Sequence, residues 1–218
     1  MAMDFWRQLG ILDPNQDLNF PITIIGVGGI GSPTEFLLAK LGCADLTAYD
    51  KDILEDHNFP NQMYRLEDLG KPKVEALKEI IKAFTGTEIK AINAEYVDQP
   101  LKGVVISAVD SMPARKQIWE NIRNKPQIRL YIDAGMGGEV GQIYAVNPCD
   151  PDQIEFYEKT LVEDDKAVEA PCTERAIIYN VFWIAGVIGD LVKKFAKKEK
   201  VPKETLLDCK NMMLVTQY

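Results

Sequence analysis

Short blocks of uninterrupted apolar residues alternate with stretches in which apolar residues recur at helical spacing. Pro21-Ile22-Thr23-Ile24-Ile25-Gly26 is apolar on both faces, the pattern of a fully buried strand. A glycine-rich turn follows, then a predicted helix over 32–41 and a second strand over 45–50. Residues 51–69 are too polar and broken for a core element. Pro72 then opens a predicted helix to Lys82. Its apolar positions Val74, Leu77, Ile80, Ile81 and Phe84 share one face. Further strands are expected over 88–93, 103–108, 130–134 and 142–146, with a helix over 111–123. Residues 148–172 form a long acidic connection with a short helix over 152–159. A buried helix over 176–192 and a last strand over 211–216 complete the pattern. Met3 to Leu12 reads as an amphipathic helix that the Asp13-Pro14-Asn15 turn ends. The predicted fold is α/β: a mostly parallel sheet with helices on both faces and additional antiparallel strands at the C-terminal end. We expect one domain over 1–218, with an N-terminal arm over 1–20 and a crossover loop over 148–172.

Composition narrows the partners. The formal charge is 25 − 33 = −8, the wrong sign for a nucleic-acid backbone. The apolar run over 176–192 contains Asn180 and Asp190 and falls short of the ~20 apolar residues a membrane span needs. No signal-peptide pattern opens the chain, so the expected location is cytoplasmic. The four cysteines, Cys43, Cys149, Cys172 and Cys209, include no C-x-x-C pair. They read as reduced thiols, and no zinc site is expected.

The chemistry-bearing residues fall just after predicted strands, where open α/β sheets bind ligands. Gly26-Val27-Gly28-Gly29-Ile30-Gly31 joins strand to helix. Gly26 suits a tight turn, Gly28 a close approach to phosphate, and Gly31 helix packing on the strand. The N-terminus of the helix then faces an anion. Alone, this motif does not separate NAD, FAD and ATP. Asp50 ends the second strand, where a carboxylate accepts hydrogen bonds from ribose hydroxyls. Beyond it lie Asp50-Lys51-Asp52, His57-Asn58-Phe59-Pro60-Asn61-Gln62, Gly70-Lys71-Pro72-Lys73 and Ser107-Ala108-Val109-Asp110-Ser111.

In this order and at this spacing, the set resembles the superfamily of ubiquitin-activating enzymes and their bacterial ThiF, MoeB and HesA relatives, over about residues 7 to 192. The resemblance implies a Rossmann-like fold that binds ATP and Mg²⁺. It also implies adenylation of the C-terminal carboxylate of a small ubiquitin-like or sulfur-carrier protein ending in Gly-Gly. Carried over residue by residue, Gly26, Gly28, Gly29 and Gly31 match the nucleotide loop and Asp50 the ribose carboxylate. Asp52 belongs to the same D-x-D strand end. Asn58 and Gln62 match the ends of an N-x-x-R-Q segment near the phosphates. Lys73 matches the lysine that neutralises phosphate charge, and Asp110 the carboxylate that holds Mg²⁺. Arg7-Gln8 resembles an N-terminal pair whose arginine reaches the neighbouring subunit's site, which implies a homodimer. Cys172 lies in the crossover region, where relatives with a thiol step carry their cysteine. Its other reading is a small apolar residue packed under a loop.

The sequence departs from that pattern at Asn61, which stands where the family has arginine. Asparagine cannot replace a bidentate guanidinium contact to phosphate. Arg65 and Arg115 are open alternatives. Two other functions remain on the sequence alone: an NAD-dependent oxidoreductase, which leaves Lys73 and Asp110 without a role, and a non-catalytic nucleotide-binding module, which Asn61 favours. His57 reads as a loop residue, and Trp6 and Trp183 as core or dimer contacts. Lys193, Lys194, Lys197 and Lys198 read as a solvated helix end. Glu163, Asp164 and Asp165 read as a solvated loop.

Overall fold

The computed structural model describes residues 3–161 and 176–218. Its centre is an eight-stranded sheet in the order β3-β2-β1-β4-β5-β6-β7-β8. The strands are β1 (Ile22–Ile25), β2 (Leu46–Tyr49), β3 (Lys90–Ile92), β4 (Gly103–Ser107), β5 (Ile128–Gly137), β6 (Val140–Val146), β7 (Glu204–Asp208) and β8 (Met213–Gln217). Strands β1 to β5 pair in parallel, and β6, β7 and β8 continue the sheet antiparallel. Strands β1 and β4 are buried along their whole length, as parallel strands covered on both faces must be.

Successive residues of β4 point to opposite layers. Val104 and Ile106 join a core with α2 (Gly31–Leu41), α3 (Lys73–Thr85) and α6 (Ile178–Ala196). Val105 faces a second core with α4 (Met112–Ile122) and α5 (Pro151–Glu158), built on Trp119, Tyr131 and Tyr157. Helix α3 stops at Gly86, whose φ of 76° suits the left-handed cap that glycine adopts without strain. Helix α4 begins where the Ser111 hydroxyl accepts the Ala114 N–H.

The structure corrects several expectations. No helix forms over Met3 to Leu12. Instead Asp13 caps a short helix, α1 (Pro14–Asp17), by accepting the Asn15 N–H at 3.0 Å. Asp-Pro is therefore a start signal here, with proline at the first helical position. Strand β7 was not anticipated, because only Thr205 and Leu207 of its five residues are buried. Strand β5 runs past the expected end at Ala134 through Gly135-Met136-Gly137. Helix α6 is buried on one face only: Ile178, Tyr179, Phe182 and Trp183 are exposed. Trp6 is 75% exposed, so neither Trp6 nor Trp183 is a core residue. Among the described residues no helix is long and apolar enough to cross a membrane.

Candidate nucleotide site

The glycine turn closes by backbone contact. Gly26 has φ 87°, and a Cβ there would meet the Ala108 carbonyl oxygen at 2.8 Å. A Cβ on Gly31 would lie 1.9 Å from the Gly26 carbonyl oxygen. These two positions exclude a side chain on steric grounds. Gly29 is less tightly held, since its nearest neighbour is the flexible tip of Met136 at 2.9 Å. Gly28 leaves the loop open, with only the Gln62 amide nitrogen at 4.0 Å. No side chain caps the N-terminus of α2; Pro33 has no N–H, and the Ser32 and Thr34 N–H groups donate to the Gly28 and Ile30 carbonyls, which leaves the Gly31 N–H of the first turn for an anion.

Asp50 braces this turn. Its Oδ2 accepts the Val27 N–H at 2.8 Å and its Oδ1 the Asp52 N–H at 2.9 Å. A carboxylate retains further lone pairs, so ribose hydroxyls can still donate to it. On the other side the Tyr64 hydroxyl donates to the Val27 carbonyl at 2.6 Å. Desolvation raises the Tyr64 pKa well above the usual tyrosine range, so this hydroxyl stays a donor. Ser32 Oγ donates to the Gly28 carbonyl and accepts the Met63 N–H. The polar stretch 51–69 is thereby fastened to the loop, although it contains only two short 3₁₀ turns, Asp56–Asn58 and Leu66–Asp68.

A cavity of about 400 Å³ opens beyond Asp50, lined by Lys51, Asp52, Glu55, His57, Asn58 and Lys73 and by no residue of the glycine loop. Lys73 occupies the first position of α3, and its Nζ lies 2.8 Å from Asp52 Oδ2. The lysine side chain is 8% exposed. Asn58 is buried, and its Oδ1 accepts the Glu55 N–H at 2.9 Å. Gln62 keeps a buried Oε1 without a partner, an acceptor left over from the folding of this segment.

Asp110 follows β4 in an exposed bend immediately before the cap of α4. The Val109 side chain next to it reaches to 3.3 Å of the Gly26 Cβ position, so the two turns are adjacent. The structure thus groups Gly26, Gly28, Gly29, Gly31, Asp50, Asp52, Asn58, Gln62, Lys73 and the Asp110 turn at the carboxyl ends of β1, β2 and β4. Arg7 does not join them within its own chain. The arm that carries it packs at the far end of α2, where the Gln8 amide donates to the Leu41 carbonyl. Eleven helical residues separate that end from the glycine loop, about 16 Å at 1.5 Å per residue. Cys172 and the acidic run Glu163-Asp164-Asp165 lie outside the described residues.

Neither alternative to the arginine absent at Asn61 points a free guanidinium at this site. Arg65 is held by Asp68 through both Nε and Nη2 and by Glu79. Arg115 is paired with buried Asp133 at 2.6 Å. Asp133 and Glu35 lie outside the motifs that mark the site. The signal was there: each is a lone carboxylate inside an apolar element, Asp133 in Leu130-Tyr131-Ile132-Asp133-Ala134 and Glu35 in Glu35-Phe36-Leu37-Leu38.

The ThiF family profile matches residues 7–215. The chain belongs to the ThiF family. It is 29% identical over 184 residues to the NEDD8-activating enzyme E1 catalytic subunit of Arabidopsis thaliana, covering 71% of this chain and 40% of that protein. It is 26% identical over 192 residues to the sulfur carrier protein ThiS adenylyltransferase of Escherichia coli, covering 83% of this chain and 73% of that one. Among solved structures, E. coli MccB with ATP superposes with a TM-score of 0.75 at 18% identity, over 94% of this chain and 65% of MccB. That likeness shows the ThiF-like fold. The chain spans about two fifths of the length of several E1-type relatives. No group of three or more metal-ligating side chains occurs among the described residues.

Proposed function

We propose that this ThiF-family chain binds ATP with Mg²⁺ and adenylates the C-terminal carboxylate of a small ubiquitin-like or sulfur-carrier protein ending in Gly-Gly. The observation that carries this reading is buried Lys73 at the first position of α3, paired at 2.8 Å with Asp52, whose N–H is held by the same Asp50 carboxylate that accepts the Val27 N–H of the glycine loop. A hydride-transfer site gives no reason for such a lysine; a triphosphate does. Glycine-loop and α2 amides hold phosphate oxygens, Asp50 holds ribose hydroxyls, and Lys73 offsets phosphate charge. The attacking carboxylate is already ionised at neutral pH, so no general base is required. Fixed charge and positioning then carry the acceleration.

A single carboxylate, Asp110, suits Mg²⁺, which retains waters and completes its shell with nucleotide phosphates. When bound, the ion supplies charge neutralisation on the phosphates. The exposed stripe Ile178, Tyr179, Phe182 and Trp183 supports a homodimer. In that dimer Arg7 reaches the neighbouring copy's phosphates. Free Cys43, Cys149 and Cys209 suit the reducing cytoplasm. Where a thiol step follows adenylation, Cys172 is the candidate acceptor, taking the acyl group as AMP leaves; Cys172→Ala then abolishes the thioester while sparing ATP–pyrophosphate exchange.

Thermal melting with ATP·Mg²⁺, NAD⁺ and FAD tests the nucleotide assignment, and carrier-dependent ATP–pyrophosphate exchange tests the chemistry. Stabilisation by NAD⁺ instead of ATP transfers the site to an oxidoreductase. ATP binding without exchange assigns it to a non-catalytic module.

A further inference from the structure

Arg115 belongs to the second turn of α4, five residues after Asp110. Its side chain is 13% exposed and turns back under the loop that Asp110 occupies. Nη2 donates to the Val109 carbonyl at 2.8 Å and to the Ala134 carbonyl at 3.0 Å. Nη1 lies 2.6 Å from Asp133 Oδ2, which also accepts the Tyr157 hydroxyl at 2.8 Å. Gly135 leaves room for the guanidinium: a Cβ there would sit 3.1 Å from Nη2. One planar fork thus ties the peptide before Asp110 to β5, and Tyr157 from α5 anchors the carboxylate that orients the fork.

From this geometry we infer that Arg115 is a positioning residue: it fixes the Val109–Asp110 turn against β5 and thereby sets where the Asp110 carboxylate meets a nucleotide-bound cation. A side chain with all these bonds is not a phosphate ligand, so it does not replace the arginine absent at Asn61. Lysine cannot reproduce the arrangement, because an ammonium is a point donor without a planar fork. The part of the inference that concerns the cation rests on the adenylation reading; the pinning of the turn does not.

The test uses Arg115→Lys and, to guard against an orphaned buried charge, the double variant R115Q/D133N, which removes both charges together. Hydrogen exchange of peptides spanning 108–115 reads the turn directly. Both variants are expected to exchange faster there than wild type, with peptides over 26–31 unchanged. Melting with ATP alone and with ATP plus a Mg²⁺ series reads the cation. The half-saturating Mg²⁺ concentration is expected to rise about tenfold or more, the scale for removing a group that orients a metal ligand. The shift produced by ATP alone is expected to stay. Unchanged exchange over 108–115 in both variants, or equal loss of the ATP and Mg²⁺ responses, overturns the inference. If wild type itself gains nothing from ATP·Mg²⁺, the adenylation reading falls, and hydrogen exchange alone decides whether Arg115 pins the turn.

Discussion

Lys73 Nζ sits 2.8 Å from Asp52 Oδ2 at the N-terminus of α3, where the helix dipole disfavours a cation. Helix starts favour anions, so the position makes sense if a phosphate is to complete the group. Until then Asp52 is the lysine's counter-ion, and the Lys73 N–H also donates to the Asp52 carbonyl at 3.0 Å. On the adenylation reading, an incoming triphosphate competes with Asp52 for Nζ. Lys73→Ala and Asp52→Asn are therefore expected to move ATP affinity in opposite directions. Lys73→Ala weakens binding about tenfold or more, in line with losing a charge-assisted hydrogen bond. Asp52→Asn leaves binding equal or tighter, because the competitor has lost its charge. Isothermal titration checks both; equal weakening in the two variants contradicts the exchange of partners.

The glycine loop gives a sharper contrast. Gly31→Ala forces a methyl group to within 1.9 Å of a backbone oxygen, which cannot swing aside. The expected cost exceeds the ~1–3 kcal/mol of ordinary overpacking, and the variant should be largely unfolded or insoluble. Gly29→Ala meets only the movable end of Met136. It should fold with a melting temperature within a few degrees of wild type. Urea unfolding of the pair decides; similar midpoints show that the loop is more pliable than its contacts indicate.

Much of this architecture was legible because β1 and β4 are nearly continuous apolar blocks buried along their whole length, and the site lies at the ends of those blocks. Asp50, Lys73 and Asp110 are polar residues at strand ends or a helix start, and the fold brings the segments together. The antiparallel end of the sheet was harder. Strands β6 and β8 match the expected 142–146 and 211–216, but β7 did not stand out, since only Thr205 and Leu207 of it are buried. What periodicity cannot show is pairing across the sheet. Nothing local in Ala114-Arg115-Lys116 says that the arginine turns back to Asp133, or that Arg65 is spent on Asp68 and Glu79. Those assignments depend on register and on helix placement, which three-dimensional packing decides.

Asp110→Asn is expected to keep the fold, because the residue is exposed and its side chain caps nothing in the described structure. Binding of ATP alone should persist through Lys73 and the glycine loop. The additional stabilisation from Mg²⁺ should vanish, and exchange should fall by a factor corresponding to several kcal/mol of lost charge stabilisation. Melting with and without Mg²⁺, alongside exchange rates, checks this. A wild-type Mg²⁺ response in the variant removes Asp110 from the cation site.

Glu35 ties the stability of the loop helix to pH. It lies wholly buried on α2, neither carboxylate oxygen has a partner, and desolvation raises its pKa to about 8 from an ordinary 4.5. Cys43 and Tyr64 are near enough to feel its charge, but burial pushes the thiol up to about 12 and the phenol well above its usual range. Both therefore stay neutral where Glu35 titrates. Below pH 4.5 the carboxyl is protonated in the folded and unfolded chains alike, and it costs nothing electrostatically. As pH rises toward 8 the unfolded chain releases this proton while the folded chain retains it. The unfolded state then binds fewer protons, so stability falls through that window and levels off above it. The Glu35 contribution to the fall is about 3–5 kcal/mol for a shift of this size. Glu35→Gln cannot ionise, so its stability relative to wild type should rise steadily between pH 5 and pH 8.5. Urea unfolding at a series of pH values measures that difference. Parallel curves for the two proteins, with no widening gap, mean that Glu35 ionises freely in the folded chain through water or a partner.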